Sequence, residues 1–287
     1  MPYSDLCREK ILSENYHDFI VSDIRMPFLQ DMLEKDCCLQ NPGFFYQCAY
    51  LSKSVIKPVS LENYSYFSIP KCYSLLSMQA LNQAGILPIQ NHSTIQLSGK
   101  QVMIGFLDTG IDYKNPVFQH LDKTTRIAGI WDQTIQSGTP PESFDYGSHY
   151  TPDMINEALA SEDPYSLVPS VDNNGHGTFL ASIAAGSGDP DAQFIGAAPE
   201  SVIAVVKLKQ AKQYLRDYYF IPNTAPAFQE NDIMLGMRYL HLLAEKLGLP
   251  LIFCLALGSN LGGHSGSLPL SITAQQYTLL SNRIPVI

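Results

Sequence analysis

No stretch of the chain reaches the roughly 20 continuous apolar residues that a membrane helix needs, so neither a bilayer-spanning segment nor a membrane partner is expected. The opening segment MPYSDLCREKILSENYHDF interleaves acids and bases and has no apolar core of the kind an export signal carries, which makes a cytoplasmic location the expectation. Basic clusters are missing as well. With 18 Lys and Arg against 27 Asp and Glu, a net charge of −9, the surface is wrong for phosphate backbones, whose affinity rests on grouped cations. No nucleic-acid partner is expected. The densest basic stretch, Lys207, Lys209 and Lys212, is broken by Leu208, Gln210 and Ala211 and reads as a solvated face without a partner. The six cysteines (Cys7, Cys37, Cys38, Cys48, Cys72 and Cys254) show neither C-x-x-C spacing nor the density of a disulfide scaffold. They are expected as reduced thiols, with metal binding or pairing at Cys37 and Cys38 as the alternative. No internal repeat or low-complexity tract is visible.

What is present is enough apolar material for a packed core. The 287 residues are 45% hydrophobic and only 16% charged, far from the composition of disordered chains, and the length suits one large α/β domain with an accessory one. The chain changes character near residue 70. Before it, residues 16–24 read as a strand, 26–35 as a short helix and 44–55 as a second strand rich in β-branched and aromatic residues. Pro58, Asn63, Ser65, Ser68 and Pro70 then interrupt regular structure, which places a linker over 59–72 and divides the chain into units 1–76 and 77–287. In the second unit a helix is expected over 78–84. A strand over 101–107, apolar from Val102 to Leu107 apart from Gly105, suits a parallel sheet buried on both faces. A turn-rich loop follows, then a helix over 177–185, a strand over 202–208, a helix over 232–247, a strand over 250–257 and the start of another at 284–287. Strands alternating with helices call for a parallel sheet covered on both sides.

The strand VMIGFL runs directly into Asp108-Thr109-Gly110. Sites in open parallel sheets form at the carboxyl ends of strands, so Asp108 stands at the expected active edge, although an Asp there is commonly only a cap or turn former. The tripeptide also occurs in aspartic proteases, which need a second copy or a small β-rich dimer, and neither fits this α/β chain. Farther on, Asn173-Asn174-Gly175-His176-Gly177-Thr178 sets a histidine between two glycines at the head of a helix. Such a histidine can take a proton from a nucleophile if a carboxylate fixes its tautomer and stabilises the imidazolium. Asp108 is the candidate carboxylate. A metal hydrolase using the same pair lacks further clustered His or Glu ligands, and no metal site is assigned.

The segments GFLDTGID and NNGHGTFLAS, in that order, resemble the Asp and His signatures of the subtilisin-like serine proteases, the subtilases. Ile195-Gly196-Ala197-Ala198-Pro199 is similar to the G-x-A-P turn after the family's His helix, Val205-Val206-Lys207-Leu208 to the strand that follows, and DIMLGMRYL from Asp232 to the next helix. Leu255-Ala256-Leu257-Gly258 resembles the S-L-G segment whose backbone pairs with extended substrate, with Ala256 in place of the usual Ser. The likeness covers roughly residues 77–287, and the wording of IPKCY, GIDY and NGHGTFLAS is similar to the spore-germination subgroup. It implies an α/β fold with a subtilisin-like parallel sheet flanked by helices, preceded by a small α/β propeptide-like module. It also implies a serine endopeptidase acting on protein or peptide substrates, in which Asp108 orients His176 and Leu255, Ala256, Leu257 and Gly258 line the substrate. No cofactor is required, structural calcium is left open, and the location is cytoplasmic or spore-associated. Residues 1–76 are expected to act as a folding aid and intramolecular inhibitor whose tail lies as an extra strand beside 255–258, the alternative being a permanent extension.

The family's G-T-S-x-[AS] nucleophile and A-A-G-N oxyanion segments are not found in this sequence, and Ile284-Pro285-Val286-Ile287 resembles the strand that leads to the latter. Ser265, Ser267 and His264 fall in a loop next to the substrate strand and are not read as nucleophile, base or ligand. Tyr146, His149, Tyr150 and Tyr165 lie in the long segment between Asp108 and His176, either shaping access to the site or packing as surface decoration. A subtilase-fold pseudoprotease that only binds remains the alternative to an enzyme, and an intact Asp–His pair favours the enzyme. Because triad members act as a unit, this chain alone is expected to hydrolyse no peptide bond. Activity on the purified chain that titrates with a serine-directed inhibitor would contradict this.

Overall fold

The computed structural model describes residues 5–22, 36–75, 97–188, 195–263, 265–280 and 283–286; the helices expected over 26–35 and 78–84, and His264, lie outside the described residues. Helix α1 (Asp5–Leu12) precedes an antiparallel sheet of β1 (Tyr16–Ser22), β2 (Cys37–Gly43) and β3 (Tyr46–Ser52), ordered β1-β3-β2. The two strands read from the sequence pair with each other, from Tyr16 opposite Ser52 to Ser22 opposite Tyr46. One face, carrying Phe19, Val21, Ala49 and Leu51, is covered by Ile56, Val59 and Tyr64 of the following loop. From the other, Cys48 and Tyr50 join the main core. The chain then enters β4 (Cys72–Leu75), which pairs outside this sheet. The expectation of six reduced cysteines is corrected here: Cys7 on α1 and Cys38 on β2 form a disulfide, and the Asp145 carboxylate and both sulfurs lie within 4.8 Å of one another. The sequence separation of 31 concealed the pair, because it is the packing of α1 on β2 that brings the two together.

The second unit runs β5 (Met103–Asp108), β6 (Ile127–Asp132), β7 (Ser148–Tyr150), α2 (Pro152–Ala160), α3 (Pro164–Leu167), α4 (His176–Ala185), β8 (Val202–Lys207), α5 (Gln213–Tyr218), β9 (Phe228–Gln229), α6 (Glu230–Leu247), β10 (Leu251–Cys254), β11 (Leu257–Gly258), α7 (Pro269–Leu279) and β12 (Arg283–Val286). Six strands form one sheet in the order β12-β10-β5-β8-β6-β7, parallel except for β7 on β6. The period-two alternation of strand side chains sorts its apolar residues into two layers. Met103, Leu107, Ala204 and Val206 meet Ile233, Met237 and Leu240 of α6. Ile104, Phe106, Ile203 and Val205 meet Ala181 and Ala185 of α4. Two glycines let α6 approach closely: a Cβ on Gly105 would come within 2.7 Å of Leu240, and one on Gly236 within 2.6 Å of Leu107.

The aromatic residues of the long inserted segment pack into the body of the domain. Tyr146 and Tyr150 are buried, Trp131 donates its indole N–H to the Tyr146 carbonyl at 3.0 Å, and the Tyr146 hydroxyl donates to Asp232 at 3.0 Å. His149 lies edge-on to Tyr239, and Tyr165 edge-on to Tyr113. Of the two readings offered above, packing is the one these contacts support.

The basic run after β8 is not a solvated face, which corrects the expectation. Lys207 pairs with Asp132 at 3.3 Å, Lys209 with Asp232 at 2.6 Å, and Lys212 with Asp18 of β1. Buried carboxylates draw the lysines inward, Asp132 and Asp232 within the second unit and Asp18 across the seam between the two. Asp18 also accepts from Gln229 at 2.6 Å and Asn231 at 3.1 Å, its backbone N–H donates to the Tyr214 hydroxyl, and that hydroxyl donates back to its carbonyl. His17 stacks on Tyr214 with ring centroids 3.9 Å apart. Asp18→Ala would leave Lys212 buried and unpaired, so a loss of about 3–5 kcal/mol in urea unfolding is expected, whereas an effect below 1 kcal/mol would show the pair to be dispensable. Burial, then Lys53 and Lys212, push the His17 imidazole down to about 4 against the pull of Asp18. Since the folded value lies below the unfolded 6.5, stability falls as pH drops through that window. His17 is partly exposed, which limits the effect to about 1–2 kcal/mol. His17→Phe should match the parent's melting temperature at pH 7.5 and exceed it at pH 4.5, and parallel acid curves would refute this.

Candidate active site

Strand β5 ends on Asp108, whose side chain is almost fully enclosed by the start of α4. The helix opens at His176 behind Gly175, which takes the left-handed conformation (φ 83°) that a glycine adopts without strain. This turn delivers the imidazole to the carboxylate. His176 Nδ1 lies 2.8 Å from Asp108 Oδ1 and 3.0 Å from Oδ2, and the Thr109 backbone N–H donates to Oδ1 at 2.7 Å. Burial pushes the Asp108 carboxyl up, and the contacts with His176 and Thr109 offset that only in part. With the carboxylate at Nδ1, Nε2 is the nitrogen through which such a ring would act as a general base. Cys254, at the end of the neighbouring strand β10, is half-buried, and its thiol is pushed up to about 12, first by desolvation and then by Asp108.

The closeness of the pair depends on Gly177. A Cβ there would meet the Gly110 carbonyl oxygen at 2.2 Å and Asp108 Oδ1 at 3.1 Å. The HGT wording of the sequence is therefore steric in origin as well as chemical. The three potential metal donors grouped among the described residues, Cys7, Cys38 and Asp145, include neither member of the pair.

The residues read as substrate-lining lie in a separate sheet of short strands. Leu257 and Gly258 of β11 pair antiparallel with Leu75 and Ser74 of β4, while Tyr73 and Cys72 pair with Phe228 and Gln229 of β9. A segment of the N-terminal unit is thus the middle strand of a three-stranded sheet ordered β11-β4-β9. Of the four residues read as substrate-lining, Leu257 and Gly258 carry this ladder; Leu255 and Ala256 only join β10 to β11, with Leu255 in the core. Cys72 is enclosed by Ile69, Ala211, Leu215 and Ala227. A cavity of about 240 Å³ adjoins it, lined by Tyr73, Tyr219, Ile221, Gly258 and Leu261 among others. Glu230, wholly buried, accepts from the backbone N–H groups of Lys71 at 3.2 Å and Leu270 at 3.0 Å. None of the residues from α5 and its following loop was marked from sequence, although Tyr219 and Ile221 line this cavity.

A helix-initial histidine held against a carboxylate at the end of a central strand, in a parallel sheet flanked by helices, is the subtilisin-like α/β fold. Comparison with known proteins agrees: residues 99–234 match the model of the subtilase family. The subtilisin-like protease SBT2.2 of Arabidopsis thaliana is 32% identical over 131 residues, 39% of this chain and 15% of that protein. SBT2.1 of the same plant is 30% identical over 132 residues, 39% of this chain and 15% of the relative. The structure of the Clostridium perfringens CspB protease superposes with a TM-score of 0.58 at 33% identity, covering 70% of this chain and 38% of that one. The chain thus spans well under half the length of each.

Gly177→Ala tests the steric account of the pair. Because the clash is with backbone, α4 must withdraw from β5, at a cost of about 1–3 kcal/mol or more, and the imidazole must leave the carboxylate. Proton NMR should then lose the downfield Nδ1–H signal of the bound imidazole. An unchanged signal with unchanged stability would contradict the account.

Proposed function

We propose that this chain is part of a subtilisin-type serine endopeptidase, and the observation that supports it most is the contact of Asp108 with His176 Nδ1 at 2.8 Å. In this reading a serine of the whole protein attacks the substrate carbonyl carbon and gives its proton to His176. His176 then passes that proton to the leaving amine nitrogen, and water hydrolyses the acyl intermediate by the same base. Asp108 holds the ring and stabilises the imidazolium as it forms. Extended substrate adds a strand beside Leu257 and Gly258, with main-chain hydrogen bonds supplying affinity and side-chain pockets supplying selectivity.

Residues 1–76 are proposed as a propeptide-like unit that blocks this cleft until it is removed. Supporting this, β4 lies between β9 and β11, in the place an incoming peptide strand would take. The experiment uses the full-length protein. Asp108→Asn should lower kcat by up to about 10⁴-fold with little change in KM, and a loss under tenfold would sink the catalytic assignment. Refolding the protein without residues 1–76, with and without that segment added in trans, tests the second part. Added segment should raise the yield of folded protein and inhibit its activity; equal yields and no inhibition would leave it a plain extension.

A further inference from the structure

We propose that Asp172 is a positioning residue for the Asp108–His176 pair: it cross-braces the loop after β5 to the first turn of α4 and so fixes the separation of carboxylate and imidazole. This rests on the reading of that pair as catalytic carboxylate and base. Asp172 Oδ1 accepts from the Thr109 hydroxyl at 2.8 Å and from the backbone N–H groups of Gly175 at 2.9 Å and Asn174 at 3.2 Å. Its Oδ2 accepts from the Thr178 backbone N–H at 2.8 Å and the Thr178 hydroxyl at 2.7 Å. Gly175 caps α4 without a side chain, so this carboxylate, four positions before the histidine, serves amides that a capping side chain otherwise serves.

The hydroxyls extend the reach of Asp172 to both sides of the pair. Each donates its single proton to Asp172, which leaves its lone pairs to accept from elsewhere. The Thr109 hydroxyl accepts from the Gly177 N–H at 3.0 Å, and the Thr178 hydroxyl accepts from the Asp112 N–H at 2.8 Å. Thr109 follows Asp108 and Gly177 follows His176, so one brace ties the residues next to the pair. The other ties Asp112, on the loop after β5, to Thr178 on the helix. Both braces have one donor–acceptor assignment, and both require an ionised Asp172. Burial alone would push its carboxyl up, but the hydrogen bonds from Thr178, Thr109 and Gly175 outweigh it and hold the group below the ordinary range. An Asn here turns one acceptor into a donor that faces backbone N–H groups in either orientation of its amide, those of Asn174 and Gly175 or that of Thr178, which undoes the brace without changing side-chain size.

The test is a pH titration of the His176 ring by ¹H–¹⁵N NMR on the labelled chain, comparing Asp172→Asn, Thr178→Val, Thr178→Ser and Asp108→Asn with the parent. Thr178→Val keeps every charge and removes one hydroxyl, so a change there is not a through-space effect of charge on the ring. Asp172→Asn should lower the His176 midpoint by about half a pH unit or more. Thr178→Val should shift it in the same direction, and Thr178→Ser should restore it. In the full-length protein Asp172→Asn should then lower kcat about tenfold with KM within twofold of the parent. A His176 midpoint unmoved in both Asp172→Asn and Thr178→Val, with only a lowered melting temperature, would make Asp172 a plain helix cap and overturn the proposal. If Asp172→Asn does not fold, the Val and Ser variants at Thr178 decide alone. An unmoved midpoint in Asp108→Asn would instead overturn the catalytic pairing, and so separates that failure from this one.

Discussion

The site depends on one close approach, that of the first turn of α4 to the loop that ends β5. The Gly177 backbone lies so near the Gly110 carbonyl that even a methyl group is excluded, and that proximity puts the His176 ring against a nearly fully buried carboxylate. The approach is set from both sides. β5 is fixed between β10 and β8 in the middle of a parallel sheet, and α4 is fixed by Ala181 and Ala185 against Ile104 and Phe106. Small residues on the inner face of α4 let the helix lie close to the sheet, and larger ones would lift its first turn away from Asp108. Helix packing and the geometry of the Asp108–His176 pair are in this sense a single constraint.

A second constraint acts between the two units. Their contact combines an apolar part, in which Cys48 and Tyr50 join the main core, with a buried polar part centred on Asp18. Buried ion pairs contribute little net stability, because desolvation offsets much of the Coulomb gain, yet they heavily penalise any arrangement that leaves one partner unpaired. A seam of this kind selects one register of the N-terminal sheet against the rest. With that register fixed, β4 is delivered to the gap between β9 and β11.

The sequence revealed what is local and hid what is not. Asp108 and His176 were legible because each sits in a short run whose glycines serve steric needs of the same turn, and the strands at β5, β8 and β10 were legible from their unbroken apolar runs. Helix α1 was not, since DLCREKIL carries neither a cap nor a clear apolar stripe. The strand β2 was hidden because CCLQNPG contains an Asn and a Pro, residues depleted in strands. The burial of Lys212 was invisible for another reason: its partner Asp18 lies 194 positions away, and no local pattern marks a lysine as paired at that distance. The same reason concealed the Cys7–Cys38 disulfide. Asp172 stood in plain view beside the histidine, but its role required knowing that Thr109 and Thr178 face it from opposite sides.

The place of β4 joins these two constraints. In chain order it follows the linker read over 59–72, but in space it completes a sheet whose other strands come from positions 228–229 and 257–258. Strands this short have little stability as a pair, so β9 and β11 gain order from whatever extended chain lies between them. Glu230 reinforces the arrangement: its carboxylate, wholly buried, accepts from Lys71 on the entering strand and from Leu270 at the start of α7, while its own N–H donates to the Lys71 carbonyl at 2.8 Å. A chain that leaves this gap uncovers a carboxylate and two strand edges together. Main-chain groups, in the ladder and at the Glu230 carboxylate, thus hold β4 in the gap between β9 and β11.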